Sequence, residues 1–174
     1  QSTEFFTVAN VLFMFDDAQK SEYDKLTAKI NADDGGYYDQ QYQQELDRLY
    51  SQITPVVRKL NESTGEYEEV TDSTLTVNDV YNTMKTQLSS AQNTNDVNVV
   101  GDTINDFIYL YNEDTGMFNA ESNYVIGIDK DGNAVSSFVE SFNEAGIELY
   151  NNGKAEIGDI SGLVRSEYGI HVLI

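Results

Sequence analysis

Apolar positions follow two rhythms along this chain, one of strands and one of helices. From Glu4 to Phe15, Phe, Val and Leu crowd together without Gly or Pro, which predicts a buried strand with little alternation. Asp16 and Asp17 then offer a helix start, and Tyr23, Leu26, Thr27 and Ile30 recur at helical spacing until Asp34-Gly35-Gly36 breaks the pattern. A second helix is expected from Tyr38, with Tyr42, Leu46, Leu49, Tyr50 and Ile53 on one face. Pro55, after Thr54, suits the first position of a further helical turn. Glu62 to Thr74 is polar, with Ser63-Thr64-Gly65 as a turn and Tyr67 to Val70 as one short hairpin arm.

Helical periodicity resumes from Thr76 to Gln92 through Val80, Tyr81, Met84 and Leu88, opened by Thr76 and Asp79 at capping-box spacing. After a loop at Asn93 to Asp96, Asp102 is the expected cap of a helix carrying Ile104, Phe107, Ile108 and Tyr111, which Asn112 to Gly116 ends. Tyr124 to Ile128 reads as a strand and Asp129 to Asn133 as a turn. Val135 to Tyr150 carries a helical stripe of Phe138, Phe142, Ala145 and Leu149, stopped at Asn151-Asn152-Gly153. A short strand at Leu163 to Arg165, a turn at Tyr168-Gly169 and an apolar closing strand complete an α+β order.

Composition narrows the function classes. Ten Lys and Arg against thirty Asp and Glu give a net charge of −20, which argues against nucleic acid as a partner, because phosphate-backbone binding is driven by cationic side chains. With 40% hydrophobic residues, twelve Tyr and eight Phe, the chain has a core to bury. It has no Cys, which excludes a disulfide framework, thiolate zinc and cysteine nucleophiles. No apolar run approaches the roughly 20 residues of a membrane helix. The chain lacks a basic-then-apolar leader, starts without Met and stops on Val172-Leu173-Ile174, so a processed or excised protein is expected, any membrane tether lying outside this segment. The acidic, Tyr- and Asn-rich, Cys-free composition suits an extracytoplasmic protein, secreted or anchored at the cell surface. Oligomeric state is not written in the pattern.

Gly158-Asp159-Ile160-Ser161-Gly162-Leu163-Val164, followed by Ser166-Glu167-Tyr168-Gly169-Ile170-His171-Val172, resembles the closing signature of the parvulin family of peptidyl-prolyl cis-trans isomerases. Phe138 to Ala145 is similar to that family's pocket helix, Asn112 to Met117 to its acidic turn, and Val8-Ala9-Asn10-Val11-Leu12 to its opening strand. The likeness spans roughly 5–32 and 77–174. It implies an antiparallel sheet of about four strands flanked by helices, with 33–76 as a mostly helical insertion after the first strand and helix.

The resemblance also implies an activity that needs no cofactor and no metal: isomerisation of X-Pro bonds in unfolded, proline-containing polypeptides of a Gram-positive cell surface. Phe138 stands where the family usually has Met and Phe142 matches its pocket Phe; on one helix, four residues apart, both rings would face the proline. His171, the only histidine, matches a family histidine whose usual partner histidine is here Asn10. Asp114 matches the acidic position beside the reacting carbonyl, Ser166 and Tyr168 match hydroxyl-bearing floor positions, and Tyr124 lies near the glycine-rich stretch, poorly preserved in Asn119 to Asn123. Lys130 and Arg165 are isolated, so no phosphate-directed cluster is expected and substrates basic or neutral around proline are favoured. Two alternatives stand beside this reading: a catalytically weak chaperone that holds peptides in the same groove, and an acidic calcium-binding surface module built on Asp129-Lys130-Asp131-Gly132-Asn133, where glycine comes two positions too early for an EF-hand loop.

Overall fold

The opening apolar stretch is one extended segment that changes partners at its middle. A computed structural model describes residues 3–70, 72, 74–118, 123–153 and 156–174. In it β1 (Glu4–Val8) runs antiparallel to β5 (Tyr124–Ile128), with Val8 opposite Tyr124. Next, β2 (Asn10–Met14) pairs with the closing strand β7 (Gly169–Leu173), with Asn10 opposite Leu173, and the short β6 (Val164–Ser166) folds back onto β7. Ala9 joins the halves, exchanging two backbone hydrogen bonds of 2.9 and 3.0 Å with Ile174. The single buried strand expected over Glu4 to Phe15 is therefore split. Its second half is buried at Val11, Leu12 and Phe13, whereas Phe5 in the first half is 66% exposed.

The sheet expected to hold about four strands is divided into a two-stranded and a three-stranded ladder that share the 4–14 segment, and a separate hairpin is added. That hairpin, β3 (Val57–Asn61) with β4 (Glu66–Val70), corrects the expectation of a helical turn at Pro55. Proline has no N–H to give, and here it leads into an edge strand whose turn is made by Gly65 at φ 73°. The 33–76 segment thus holds one helix and one hairpin, not mostly helix. Its helix joins the main core: Leu49 and Tyr50, with Ile53 just beyond the helix end, belong to the same cluster as Phe13 and Val172.

Among the described residues there are six helices. In α1 (Asp17–Ala32) the Asp16 carboxylate accepts the Gln19 N–H, and the Gln19 side chain accepts the Asp16 N–H in return. α2 (Asp39–Ser51) follows, and α3 (Val77–Gln92) starts with the same reciprocal pair made by Thr76 and Asp79. α4 (Val97–Tyr111) starts five residues before the expected Asp102. Its cap is Asp96, which accepts the Asn98 N–H, and the extra turn places Val100 in the core. α5 (Thr115–Phe118) is a single turn. α6 (Glu140–Gly153) begins later and ends later than its stripe suggests, because Ala134 bridges to Ile128 and the Val135 N–H donates to Gly127, holding that segment along β5.

Alternation along β2 and β7 sorts the core into two layers. Val11, Phe13, Ile170 and Val172 face a large cluster with Met84 and Leu88 of α3 and Phe107 of α4. Leu173 faces the opposite layer with Val8, Ile126 and Phe142, and Asn10 and His171, having the parity of Leu12 and Leu173, share that opposite face. Gly169 permits the tight entry to β7: at φ 140° it lies against the Phe13 carbonyl, where a Cβ would overlap the oxygen.

Candidate functional site

Asn10 and His171 are the polar pair buried within this apolar face, 2% and 5% exposed. A buried polar group costs free energy unless bonded, and both are fully engaged. The Asn10 Nδ2 donates to Asp114 Oδ2 at 2.8 Å, and its Oδ1 lies 3.1 Å from His171 Nδ1. Since a carbonyl oxygen only accepts, Nδ1 carries the ring proton. His171 Nε2, 2.6 Å from Ser166 Oγ, is then the acceptor of the Ser166 hydroxyl, and the Ser166 oxygen takes the Tyr168 N–H at 3.1 Å. At the other end Tyr124 donates its hydroxyl to Asp114 Oδ2 at 2.8 Å. Five side chains from four parts of the sequence thus form one hydrogen-bonded run: Tyr124, Asp114, Asn10, His171 and Ser166.

Burial sets the protonation of this run. Loss of solvent lowers the His171 pKa from 6.5 to about 4, with the Asp114 charge acting in the opposite direction, so the imidazole is neutral at physiological pH. The Tyr124 hydroxyl is pushed up, first by burial and then by its hydrogen bond to Asp114, and stays a donor.

Aromatic rings cover the run. Phe142 stands edge-on to the His171 ring at 5.6 Å between centroids; Phe138 lies 5.0 Å from Phe142 and 5.0 Å from Tyr124. The two phenylalanines meet as expected, but not as neighbours on one helix. Phe138 precedes α6 and reaches Phe142 from the extended segment beside β5. They also differ in access: Phe142 is 2% exposed, while Phe138 and Tyr124 are half-buried. Tyr168 is the expected residue left outside, its side chain 48% exposed and only its backbone N–H reaching Ser166. Residues 119–122 of the stretch Asn119 to Asn123 lie outside the described residues.

Several positioning residues were not singled out from the sequence. Asn112, fully buried, accepts the Leu12 N–H at 3.0 Å and the Asp114 N–H at 2.8 Å through one oxygen, and donates to the Asp114 carbonyl. It fastens the acidic turn to the edge of β2. Glu113 continues the attachment by accepting the Met14 N–H at 2.8 Å, with burial raising its pKa against that bond and the Arg58 charge. The Asn112-x-Asp114 spacing after a helix, apt for an Asx turn, was the available signal. Gly116 leaves space for the Tyr124 hydroxyl, which a Cβ there would overlap. Ser161 accepts the Leu173 N–H at 2.9 Å, and Tyr50 donates to the Ser166 carbonyl at 2.6 Å, tying α2 to the floor of the site.

The Asp129 turn is satisfied internally. Asp129 Oδ1 accepts the N–H groups of Asp131 and Asn133, which lower its pKa, and Lys130 Nζ pairs with Asp131 at 2.7 Å. Among the described residues no group of three or more His, Cys, Asp or Glu side chains is arranged to hold a metal. Arg165 is paired with Asp47 at 2.5 Å, on the surface. No protein-family model, curated protein or solved structure matches this chain.

Proposed function

We propose that this chain is a parvulin-like peptidyl-prolyl cis-trans isomerase domain that acts on X-Pro bonds of unfolded secreted or surface proteins, as a module of an extracytoplasmic foldase. The observation that carries the reading is the hydrogen-bonded run from Tyr124 to Ser166 lying under three aromatic rings. The strand order supports it too, with β5, the 4–14 segment, β7 and β6 side by side.

Rotation about a peptide bond faces a barrier of about 18–20 kcal/mol and breaks no covalent bond. A catalyst needs only to prefer the twisted amide, and each ~1.4 kcal/mol of preference gives a tenfold gain. In the twisted state the imide nitrogen regains a lone pair and becomes an acceptor. Phe138 and Tyr124, the accessible rings, hold the pyrrolidine over Phe142, and the Tyr124 hydroxyl turns from Asp114 toward that nitrogen as conjugation is lost. Asn10, His171 and Ser166 are positioning residues that keep Asp114 and the floor in place.

A protease-coupled isomerisation assay tests the proposal. The chain is expected to accelerate X-Pro isomerisation, and Phe138→Ala and Tyr124→Phe to lower kcat/KM by about tenfold or more. One pair of observations favours a second reading, a peptide-holding chaperone without catalysis: the non-titrating Asn10 and the 2% exposure of Phe142. Suppressed aggregation of an unfolded client with no acceleration in the assay decides for that second reading and against the first.

A further inference from the structure

The β3–β4 hairpin reaches back to the stretch that carries Asp114, and one side chain makes most of the connection. α4 stops at Tyr111, followed by the extended residue Asn112, and its last turn holds no basic residue of its own. The last carbonyls of a helix have no partner within the helix, and that end attracts a cation. Both needs are met from β3. One terminal nitrogen of the Arg58 guanidinium donates to the Tyr109 carbonyl at 3.3 Å and to the Asn112 carbonyl at 2.9 Å. The same guanidinium lies over the Phe118 ring of α5, 5.5 Å from its centroid, and its charge acts on Glu113. Arg58 thus holds residues on both sides of Asp114.

A second tie runs beside the first. Tyr67 of β4 stacks on Tyr109 at 5.2 Å between centroids and 14° between planes, and Tyr109 meets Phe118 at 6.1 Å. Among the described residues Lys20, Arg48, Lys130 and Arg165 pair with carboxylates on the surface, whereas Arg58 is half-buried and gives its donors to backbone. Asn112 passes the hold inward: its carbonyl is fixed by Arg58, and its side chain accepts the Asp114 N–H and donates to the Asp114 carbonyl. The Asp114 carboxylate then receives Asn10 and Tyr124. Only Asn112 and Asp114 stand between Arg58 and the buried run.

We propose that Arg58 is a positioning residue of this site and that the hairpin is its brace: Arg58 fixes the 109–118 stretch so that the Asp114 carboxylate stays between Asn10 and Tyr124. Arginine suits the task because a flat guanidinium serves two carbonyls and a ring face at once, whereas the lysine ammonium is a compact, strongly hydrated charge. The effect on turnover rests on the isomerase reading, and the effect on the buried run does not. The accessible rings proposed to hold proline, Phe138 and Tyr124, belong to other elements, so the loss on removing Arg58 falls on kcat and not on KM.

The test compares the parent chain with Arg58→Ala, Arg58→Lys and Lys59→Ala, the last removing the neighbouring exposed cation of the same strand. NMR follows the Asn10 Nδ2 proton held by Asp114, whose chemical shift reports the folded state and is blind to a general loss of stability. In Arg58→Ala this proton is expected to move upfield, as a lengthened hydrogen bond requires, and kcat for X-Pro isomerisation to fall about tenfold with KM within about twofold. Lys59→Ala should leave both unchanged. Arg58→Lys keeps a cation at the end of α4 and should still show the upfield shift and most of the kcat loss, so it carries the test if Arg58→Ala fails to fold. An Asn10 signal that stays in place in the Arg58 variants, or moves equally in Lys59→Ala, overturns the proposal. A moved signal with unchanged kcat overturns Arg58 as a positioning residue for the reaction. If the parent chain accelerates no isomerisation, the isomerase reading falls, and the Asn10 signal alone decides for or against the brace.

Discussion

Because His171 is the chain's only histidine, one imidazole signal reports on the whole buried run. In the native chain its pKa is lowered to about 4; in the unfolded chain it returns to about 6.5. Between these values the unfolded state binds more protons than the native one. Stability from this group is therefore complete above pH 6.5 and is lost as the pH falls from about 6.5 to about 4, the pattern of a depressed base. At about 1.4 kcal/mol per unit the gap amounts to about 3 kcal/mol. Denaturant unfolding at pH 7 and pH 4 should show a loss about 3 kcal/mol larger in the parent chain than in His171→Gln, the comparison cancelling carboxylates common to both. Long-range nitrogen–proton NMR at pH 7 should show Nδ1 protonated and Nε2 bare, as the Asn10 and Ser166 contacts require. A titration midpoint near 6.5, or a proton on Nε2 at pH 7, would refute the reasoning, because either means that the ring is not sealed between Asn10 and Ser166.

Asn112→Ala leaves the Leu12 and Asp114 N–H groups without their acceptor and should cost about 2–4 kcal/mol in denaturant melts, far more than a surface asparagine. Gly116→Ala places a methyl group on the Tyr124 hydroxyl and, on the proposed isomerase reading, should lower turnover by about tenfold while costing at most about 1–2 kcal/mol of stability; unchanged turnover would remove Tyr124 from the proposed mechanism. Phe142→Ala should cost about 3–5 kcal/mol, as for a sealed core ring, read from the thermal midpoint, and a loss under about 1 kcal/mol would mean that the ring is reachable from outside.

What could be read from the sequence depended on how far apart the interacting residues lie. The caps at Asp16 and Thr76 are local contracts between residues three apart, and both form. In the sequence Asp96 and Asp102 are equally apt caps for α4, and only the burial of Val100 decides between them. The change of partner at Ala9 has no local sign: every residue around it is apolar, and the choice is made by strands more than a hundred positions away. β3 has no local sign either, because Arg58, Lys59 and Asn61 interrupt its apolar alternation, and its arm exists only with β4 opposite. At the site, Asn10, Asp114, Tyr124, Ser166 and His171 were named through a resemblance, since nothing in their spacing announces a hydrogen-bonded run across 161 positions. Asn112 is not legible in this way because its role is to bind backbone, which leaves no chemical signature beyond a turn.

The amide at position 10 gives the run a single direction. Asn10 must donate through Nδ2 and accept through Oδ1, so the proton of His171 is held on the Asn10 side, and Ser166 has only Nε2 to which it can donate. Asp114 sits at the receiving end, taking Tyr124, Asn10 and the Gly116 N–H. With a second imidazole in place of Asn10 the run would have two directions and two exchangeable protons, and the proton distribution would change across the neutral range. Here the one imidazole of the run has a pKa of about 4, and the Tyr124 hydroxyl is pushed up, away from the neutral range. On the proposed isomerase reading the rate should therefore be constant from about pH 5.5 to 8, whereas Asn10→His should introduce a pH dependence centred within that span. A bell-shaped or sloping profile in the parent chain would mean that a group outside this run controls the reaction. It would also separate the hydrogen-bonded run from the catalysis while leaving its structural role intact.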